Sequence, residues 1–130
     1  MKELTGRIIS KGVVEGEAIV SKSSISFLGG VNEEGIVTDK ENELFGKSIA
    51  NKIFVFPTGK GSTVGSYVIY GLAKRGLLKG MVNFESEPIV ATGAILGKIP
   101  LVDKVNIDEI KDGDIVVVDG NTGTVKIKEQ

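Results

Sequence analysis

The sequence predicts an α/β fold in which many short strands and a few helices pack as layers. Short apolar runs recur along the 130 residues, and turns rich in glycine, of which there are 18, separate them. Helical periodicity is confined to the middle of the chain, whereas strand patterns occupy both flanks. With 41% apolar residues the chain can bury a core. We therefore expect a single domain over residues 1–130.

The first third of the chain is predicted to hold three strands, at residues 6–9, 17–21 and 35–37. Residues 11–16 are predicted to connect the first two strands. The segment 23–32 contains two consecutive glycines and is predicted to be a turn between core residues.

The middle of the chain is predicted to be a strand, a helix and a second strand. Residues 53–56 are all apolar, which is typical of a buried strand. Apolar residues then recur four positions apart over 64–78, which predicts a helix, with Gly76 as a C-terminal cap. Residues 80–84 are predicted to form the next strand.

The last third is predicted to contain a short helix, a strand, a helical turn and a hairpin. The sequence DGNTG at 119–123 is a strong hairpin signal. The short helix is predicted at 89–96, the strand at 99–102 and the helical turn at 107–110. The two hairpin strands are predicted at 115–118 and 124–127.

Composition excludes several classes of protein. Lysine and arginine number 16 against 17 acidic residues, so the net charge of -1 argues against a nucleic-acid binder with a broad basic face. Five Phe, two Tyr and no Trp are too few for a platform that stacks bases. No apolar run approaches the ~18 residues that span a bilayer, and no signal peptide opens the chain. We expect a cytoplasmic protein with no membrane or nucleic-acid partner.

Two residue types are missing altogether. The chain has no Cys, which removes disulfides, thiol catalysis and cysteine ligands for zinc or iron–sulfur clusters. It has no His, which removes Ser-His triads and imidazole metal sites. Any metal cofactor would then have to be held by carboxylates or by another chain, and we expect this chain on its own to be metal-free.

The segment with the most chemical potential is PTGKGSTVGS at 57–66, between the apolar strand and the helix. A helix N-terminus suits an anion, and Lys60 adds a cation. Lys60, Gly61 and Thr63 are therefore the candidate anion- or substrate-binding residues. Ser62 is the candidate proton-transfer group, because no imidazole is available to make it a nucleophile.

Two other interpretations of this segment stay open. Ser62 or Thr63 could simply cap the helix within a tight turn. The segment also resembles a phosphate-binding Walker A loop, although the lysine precedes the second glycine and the glycine spacing differs from that motif.

Four segments together resemble the small subunit, or swivelling domain, of the aconitase X family. They lie in order over nearly the whole chain at residues 12–18 (GVVEGEA), 24–31 (SISFLGGV), 46–50 (GKSIA) and 59–66 (GKGSTVGS). The family often has arginine where Lys60 stands and a bulkier aromatic residue where Leu28 stands.

This resemblance implies a swivelling β/β/α fold like the mobile domain of aconitase. It implies a hydro-lyase of two subunits that removes water from a small anionic hydroxy acid, with an iron–sulfur cluster in the large subunit. The serine matching Ser62 is the family's proposed catalytic residue. The implied substrate is (R)-5-phosphomevalonate, dehydrated to trans-anhydromevalonate 5-phosphate in the archaeal mevalonate pathway.

Three alternatives accompany the resemblance. Within the family, the substrate could be a hydroxyproline. The segment GDIVVVDG at 113–120 suggests a phosphohistidine-carrying swivelling domain, but the chain has no histidine for that chemistry. The chain could also be a non-catalytic assembly module whose glycine loops bind a partner.

Overall fold

The computed structural model describes residues 2–128, so residues 1, 129 and 130 of the predicted domain lie outside the described part. The described residues form eight strands, three helices and a 3₁₀ turn. The strands are β1 Lys2–Thr5, β2 Arg7–Ser10, β3 Val13–Val20, β4 Lys52–Phe56, β5 Leu78–Asn83, β6 Leu101–Asp103, β7 Ile115–Asp119 and β8 Thr124–Lys128. The helices are α1 Phe27–Gly30, α2 Gly65–Lys74 and α3 Pro88–Gly97, and the 3₁₀ turn is Ile107–Glu109.

The strands form one sheet in the order β1-β8-β7-β3-β4-β5-β6-β2. The half from β1 to β3 is antiparallel, whereas β3, β4, β5 and β6 run parallel. The two ends of this order are joined by one residue, Gly6, whose N–H donates to the carbonyl of Gly123 at 2.8 Å. The sheet therefore curls back on itself and its two halves face each other.

Gly6 makes this closure possible because there is no room for a side chain. A Cβ atom there would lie 2.1 Å from the carbonyl oxygen of Asp103. Any other residue would push β2 away from β6, since such a contact is far inside van der Waals distance.

Two cores follow from this arrangement. The inner core fills the space between the two halves of the sheet with β-branched residues that include Ile53, Val55 and Val116. The outer core lies between the parallel half and the helices. There the rings of Phe54 and Phe56 stack at 4.7 Å, and Phe27 meets both edge-on. The layers are thus sheet, sheet and helix, as the predicted β/β/α fold requires.

The helices α2 and α3 approach each other closely because α3 carries glycine at positions four apart. A Cβ on Gly93 would lie 2.8 Å from the Cβ of Ile69, and one on Gly97 would lie 2.8 Å from the Cβ of Ala73. The Ser66 hydroxyl on α2 also donates to the Ile89 carbonyl on α3 at 2.8 Å. The N-terminus of α2 is therefore held in place by α3.

Several predicted boundaries are wrong. The strand predicted at 6–9 is β2, shifted by one residue, but Gly6 separates it from β1, which was missed. β3 begins at Val13, so most of the predicted connection 11–16 is strand, paired with β7. Residues 36 and 37 form only isolated bridges with nearby residues. β1 and the start of β3 pair with β8 and β7 near the other end of the sequence, which local patterns cannot show.

The predicted helix over 64–78 also runs too far. α2 ends at Lys74, because Gly76 adopts a left-handed backbone with φ of 70° and the chain turns into β5 at Leu78. The predicted role of Gly76 after the helix is confirmed. The predicted elements at β4, α3, the 3₁₀ turn, β7 and β8 are confirmed with end shifts of one or two residues. The strand predicted at 99–102 begins two residues later, as β6.

Candidate active site at the start of α2

The loop that carries the predicted site connects β4 to α2 and is held by a neighbouring segment. The Ile25 N–H donates to the Thr58 carbonyl at 3.2 Å, and the Lys60 N–H donates to the Ile25 carbonyl at 3.0 Å. On the other side, the Pro57 carbonyl accepts the N–H of Phe84 at 3.1 Å. The loop is thus anchored between two parts of the chain that are distant in sequence.

The two glycines of the loop allow this close packing. A Cβ on Gly59 would lie 2.5 Å from Cγ2 of Val90 and 2.7 Å from Oε1 of Glu87. A Cβ on Gly61 would lie 2.4 Å from the Ser26 hydroxyl oxygen, and Gly61 has φ of 92°, a region that favours glycine. Both positions therefore require glycine, and the path of the chain into Ser62 depends on them.

The four predicted site residues lie on one exposed stretch between the buried Gly59 and the buried Gly65. The Ser62 hydroxyl oxygen accepts the Val64 N–H at 3.1 Å. Within residues 2–128 the Ser62 O–H donates to no other protein group, so its proton is free for a ligand.

The backbone at this point offers donors to a ligand. Among the described residues, the N–H groups of Gly61, Ser62 and Thr63 have no protein acceptor, whereas the N–H groups of Gly65 and Ser66 are used in the following turn. Three successive N–H groups without a protein acceptor, next to a lysine, are donors available to an oxyanion. This arrangement supports the predicted binding role of Gly61 and Thr63, which stays a prediction.

The interpretation of Ser62 or Thr63 as the helix cap is wrong. The structure places the N-cap of α2 at Val64, which has no side chain able to cap. Ser62 instead accepts a hydrogen bond from the backbone two residues later and stabilises the turn in front of the helix. The same oxygen remains exposed, so this bond does not exclude a chemical role.

One residue that supports the loop lies outside the predicted site. The Glu87 carboxylate caps α3 by accepting the N–H groups of Ile89 and Val90 at 3.2 and 2.8 Å, and it lies against Gly59. The available signal was the dipeptide Glu87-Pro88, since proline is frequent at the first position of a helix and an acidic residue at its cap.

A group of ion pairs supports the end of β5. The Arg7 guanidinium donates to both oxygens of the buried Asp103 carboxylate at 2.9 and 2.8 Å, and the Ser86 N–H donates to the same carboxylate at 2.9 Å. Hydrogen bonding and the charge of Asp103 raise the pKa of Arg7. Lys104 pairs with Glu85 and lowers the pKa of that carboxyl. Segment 85–87 therefore has a structural role.

One cavity of the described residues lies apart from the predicted site. It measures about 810 Å³ and lies at the carboxyl ends of β3, β4 and β5, lined in part by Val20, Phe84 and Ile107. None of the residues 60–63 lines it. The predicted site is instead an open surface loop. A closed pocket around a ligand would need a second molecule that covers this loop.

The family assignment rests on nearly the whole chain. The model of the aconitase X swivel domain matches residues 3–127. The chain belongs to the aconitase X swivel-domain family. A relative from Methanocaldococcus jannaschii, named phosphomevalonate dehydratase small subunit, is 73% identical over 125 residues, which cover 96% of this chain and 97% of the relative. A relative of the same name from Thermococcus kodakarensis is 55% identical over 129 residues, which cover 98% of this chain and 97% of the relative.

Solved structures confirm the aconitase X fold. The crystal structure of aconitase X from Thermococcus kodakaraensis in its holo form superposes with a TM-score of 0.97 at 54% identity, covering 99% of this chain and 100% of that one. A 3-isopropylmalate dehydratase from Methanocaldococcus jannaschii superposes with a TM-score of 0.60 at 20% identity, over 90% and 82% of the two chains, which shows a shared fold. The resemblance identified from the sequence is therefore confirmed.

An aconitase-like family implies an iron–sulfur enzyme. Iron–sulfur clusters are held mainly by cysteine thiolates. This sequence has neither Cys nor His, and no cluster of metal-ligating side chains occurs within residues 2–128. The residues of this chain therefore do not fit such a cluster.

Across the described part of the chain, no helix is both long enough and apolar enough to cross a membrane.

Proposed function

We propose that this chain is the small subunit of a phosphomevalonate dehydratase, a hydro-lyase that converts (R)-5-phosphomevalonate to trans-anhydromevalonate 5-phosphate. The observation that carries the proposal is the 73% identity to a small subunit of that name over 96% of this chain. Further relatives with the same name at 55% and 51% identity support this function over dehydration of a hydroxyproline. The reaction belongs to the archaeal mevalonate pathway.

We also propose the division of labour between the subunits. The partner is the large subunit, and it carries the iron–sulfur cluster, because this chain offers no cysteine or histidine ligand. The relatives are named as small subunits, which supports a two-subunit enzyme. The place of action that we propose is the cytoplasm, where a pathway on small phosphorylated acids has its substrates.

Ser62 is the proposed base. Loss of water from a hydroxy acid breaks one carbon–hydrogen bond and the neighbouring carbon–oxygen bond, and the electron pair of the first forms a carbon–carbon double bond. The alkoxide form of Ser62 would take the proton from carbon and become the neutral hydroxyl, while hydroxide leaves with the electrons of the carbon–oxygen bond. Transfer of the Ser62 proton to that hydroxide would give water and restore the alkoxide. In the alkoxide form, the Val64 N–H, now 3.1 Å from the oxygen, makes a charge-assisted hydrogen bond, which is stronger than its neutral counterpart.

The setting of Ser62 favours a negative charge. The N-terminus of the ten-residue α2 and the Lys60 ammonium both act in this direction. The helix dipole contributes only ~0.3–1 kcal/mol at an exposed site. Most of the stabilisation must therefore come from closure of the large subunit over the loop, because charges and N–H donors act more strongly on the alkoxide in a low-dielectric site.

Lys60 and the free N–H groups of Gly61 and Thr63 are proposed to bind the anionic groups of the substrate. Phosphate and carboxylate both accept from backbone N–H groups at a helix N-terminus. In this arrangement Ser62 lies between Gly61 and Thr63 in the loop. A bound anion would therefore fix the position of the reacting carbon relative to the Ser62 hydroxyl.

Reconstitution tests the proposal. This chain is produced with the large subunit from the same organism, and dehydration of (R)-5-phosphomevalonate is measured for each chain alone and for the complex. We expect turnover from the complex and none from this chain alone. Turnover without a large subunit, or a complex that dehydrates a hydroxyproline but not phosphomevalonate, would overturn it.

A further inference from the structure

The two long helices carry almost no charge, although they form the outer layer of the molecule. No charged residue occurs in α3, and in α2 the one charged residue is the last, Lys74. A helix at the surface of a globular protein normally has a charged face towards water, and one that is apolar all round is normally buried. Such a helix layer indicates a surface that another protein covers.

Four of the exposed apolar side chains of this layer form one face. They are Leu28, Val64, Tyr67 and Leu96, which we name the helix face. Tyr67 is 71% exposed and lines two hollows of about 400 and 360 Å³. Val64 and Leu96 line the first hollow, and Leu28 lines the second. The face is therefore continuous across α1, α2 and α3, with Tyr67 at its centre.

The helix face borders the candidate active site directly. Thr63 lines the first hollow together with Val64, and the Val64 N–H holds the Ser62 hydroxyl oxygen. A protein seated on this face must also stand over Ser62. The relatives are named as small subunits, so the proposed large subunit is the partner to which we assign this face.

We infer that the helix face is the docking surface for the large subunit of the dehydratase, and that Tyr67 and Leu96 are its apolar anchors. This inference rests on the proposed function, since it assigns a place to the partner proposed there. Burial of these side chains excludes water from the adjacent Ser62 loop. The face accounts for two observations at once: the lack of charge on the helices and the open position of the site.

The chain offers a matched control on the same helix. Ile95 and Leu96 are adjacent in α3 and are 55% and 57% exposed. Ile95, however, lines a different hollow, with Ile9, Lys11 and Gly12. Leu96→Glu and Ile95→Glu therefore introduce the same charge at adjacent positions but affect different faces.

The test measures the dissociation constant of the complex for wild type, Leu96→Glu, Ile95→Glu and Tyr67→Ser. Leu96→Glu and Tyr67→Ser should weaken assembly about 10- to 100-fold, as loss of an interface anchor does. Ile95→Glu should stay within about threefold of wild type, as expected for a surface change outside the interface. Thermal unfolding of each isolated chain shows whether the variant folds. If Leu96→Glu does not fold, the dissociation constant of the Tyr67→Ser complex tests the inference instead.

Two outcomes would overturn the inference. One is equal assembly by Leu96→Glu, Tyr67→Ser and Ile95→Glu. The other is an isolated chain that forms dimers which Leu96→Glu dissociates, since a second copy would then occupy the face. A wild-type complex that assembles but does not dehydrate phosphomevalonate counts against the proposed function alone.

Discussion

The two sides of this molecule are built differently. On the strand side, exposed lysines pair with glutamates across the surface, as in Lys128–Glu15 at 3.0 Å and Lys52–Glu17 at 3.1 Å. On the helix side, residues 61–73 and 88–97 contain no charged residue. The net charge of -1 does not reveal this uneven distribution of charged residues.

This difference shows which side resembles an ordinary solvent-exposed surface. The strand side carries paired charges over an apolar inner core, although Ile8 and Val13 are also exposed there. The helix side has no charge in α3 and exposes apolar side chains next to the loop at residues 60–63. The proposed site and the proposed docking surface thus lie together, which is the arrangement expected of a subunit whose site closes against a partner.

The largest effect is expected from Ser62→Ala. Removal of this oxygen should lower turnover of the reconstituted complex ~10²–10⁴-fold, because the proton acceptor is lost. The turn bond to Val64 disappears as well, at a cost of about 1 kcal/mol in unfolding free energy. Steady-state kinetics and thermal unfolding measure the two effects separately. Full activity in an assembled Ser62→Ala complex would leave Ser62 with its role in the turn before α2 alone.

Lys60 provides the next test, because it is the charged residue that directly precedes the uncharged residues 61–73 and the proposed substrate is an anion. Lys60→Met should lower kcat/KM about 10- to 100-fold, the equivalent of one hydrogen bond to a charged group. Lys60→Arg keeps the cation and should retain much of the activity. Wild-type kinetics in Lys60→Met would reduce Lys60 to a solvated surface charge.

Gly93 tests how the helix side is held together. Gly93→Ala would place a methyl group 2.8 Å from Cβ of Ile69, and we expect it to destabilise the isolated chain by about 1–3 kcal/mol. Gly71→Ala is the control within α2, where the nearest atoms belong to the flexible Arg75 side chain at 3.3 Å. It should stabilise the chain by ~0.5–1 kcal/mol through helix propensity. Denaturant unfolding of both variants measures the two effects, and similar changes in the same direction would show that α2 and α3 are not tightly packed.

The smallest effect is expected at the exposed pair of Glu85 and Lys104. Lys104 lowers the pKa of Glu85 in the folded protein, so the pair stabilises the fold above the ordinary glutamate pKa. That contribution is lost as the pH falls through the lower folded value. Glu85→Gln should therefore lower Tm slightly at neutral pH and leave it unchanged in acid. A Tm difference that is constant with pH would show that the pair adds no pH-dependent stability.

Much of the fold could be predicted because its signals are local. The apolar run of β4, the proline and cap residue of α3 and the DGNTG turn between β7 and β8 each lie within a few residues. The break at Gly6 and the start of β3 could not be predicted, because Gly6 is set by a contact with Asp103 and β3 by its pairing with β7.

The candidate site shows the same division. Lys60, Gly61, Ser62 and Thr63 could be selected because a polar, glycine-containing turn precedes a helix. The support from Glu87 beneath Gly59 and from Ser26 beside Gly61 could not, since those contacts join segments about 30 residues apart.

The sequence by itself determined the missing thiol and imidazole chemistry, the glycine turn in front of a helix, and the two stretches without charge. Local composition and spacing are sufficient for these properties. Only the tertiary structure decided that the two uncharged stretches lie side by side and that their exposed residues adjoin Ser62. The physical reason is that this placement depends on α2 packing against α3 through Gly93 and Gly97, and on a sheet closed at Gly6, which are contacts between residues far apart in the chain.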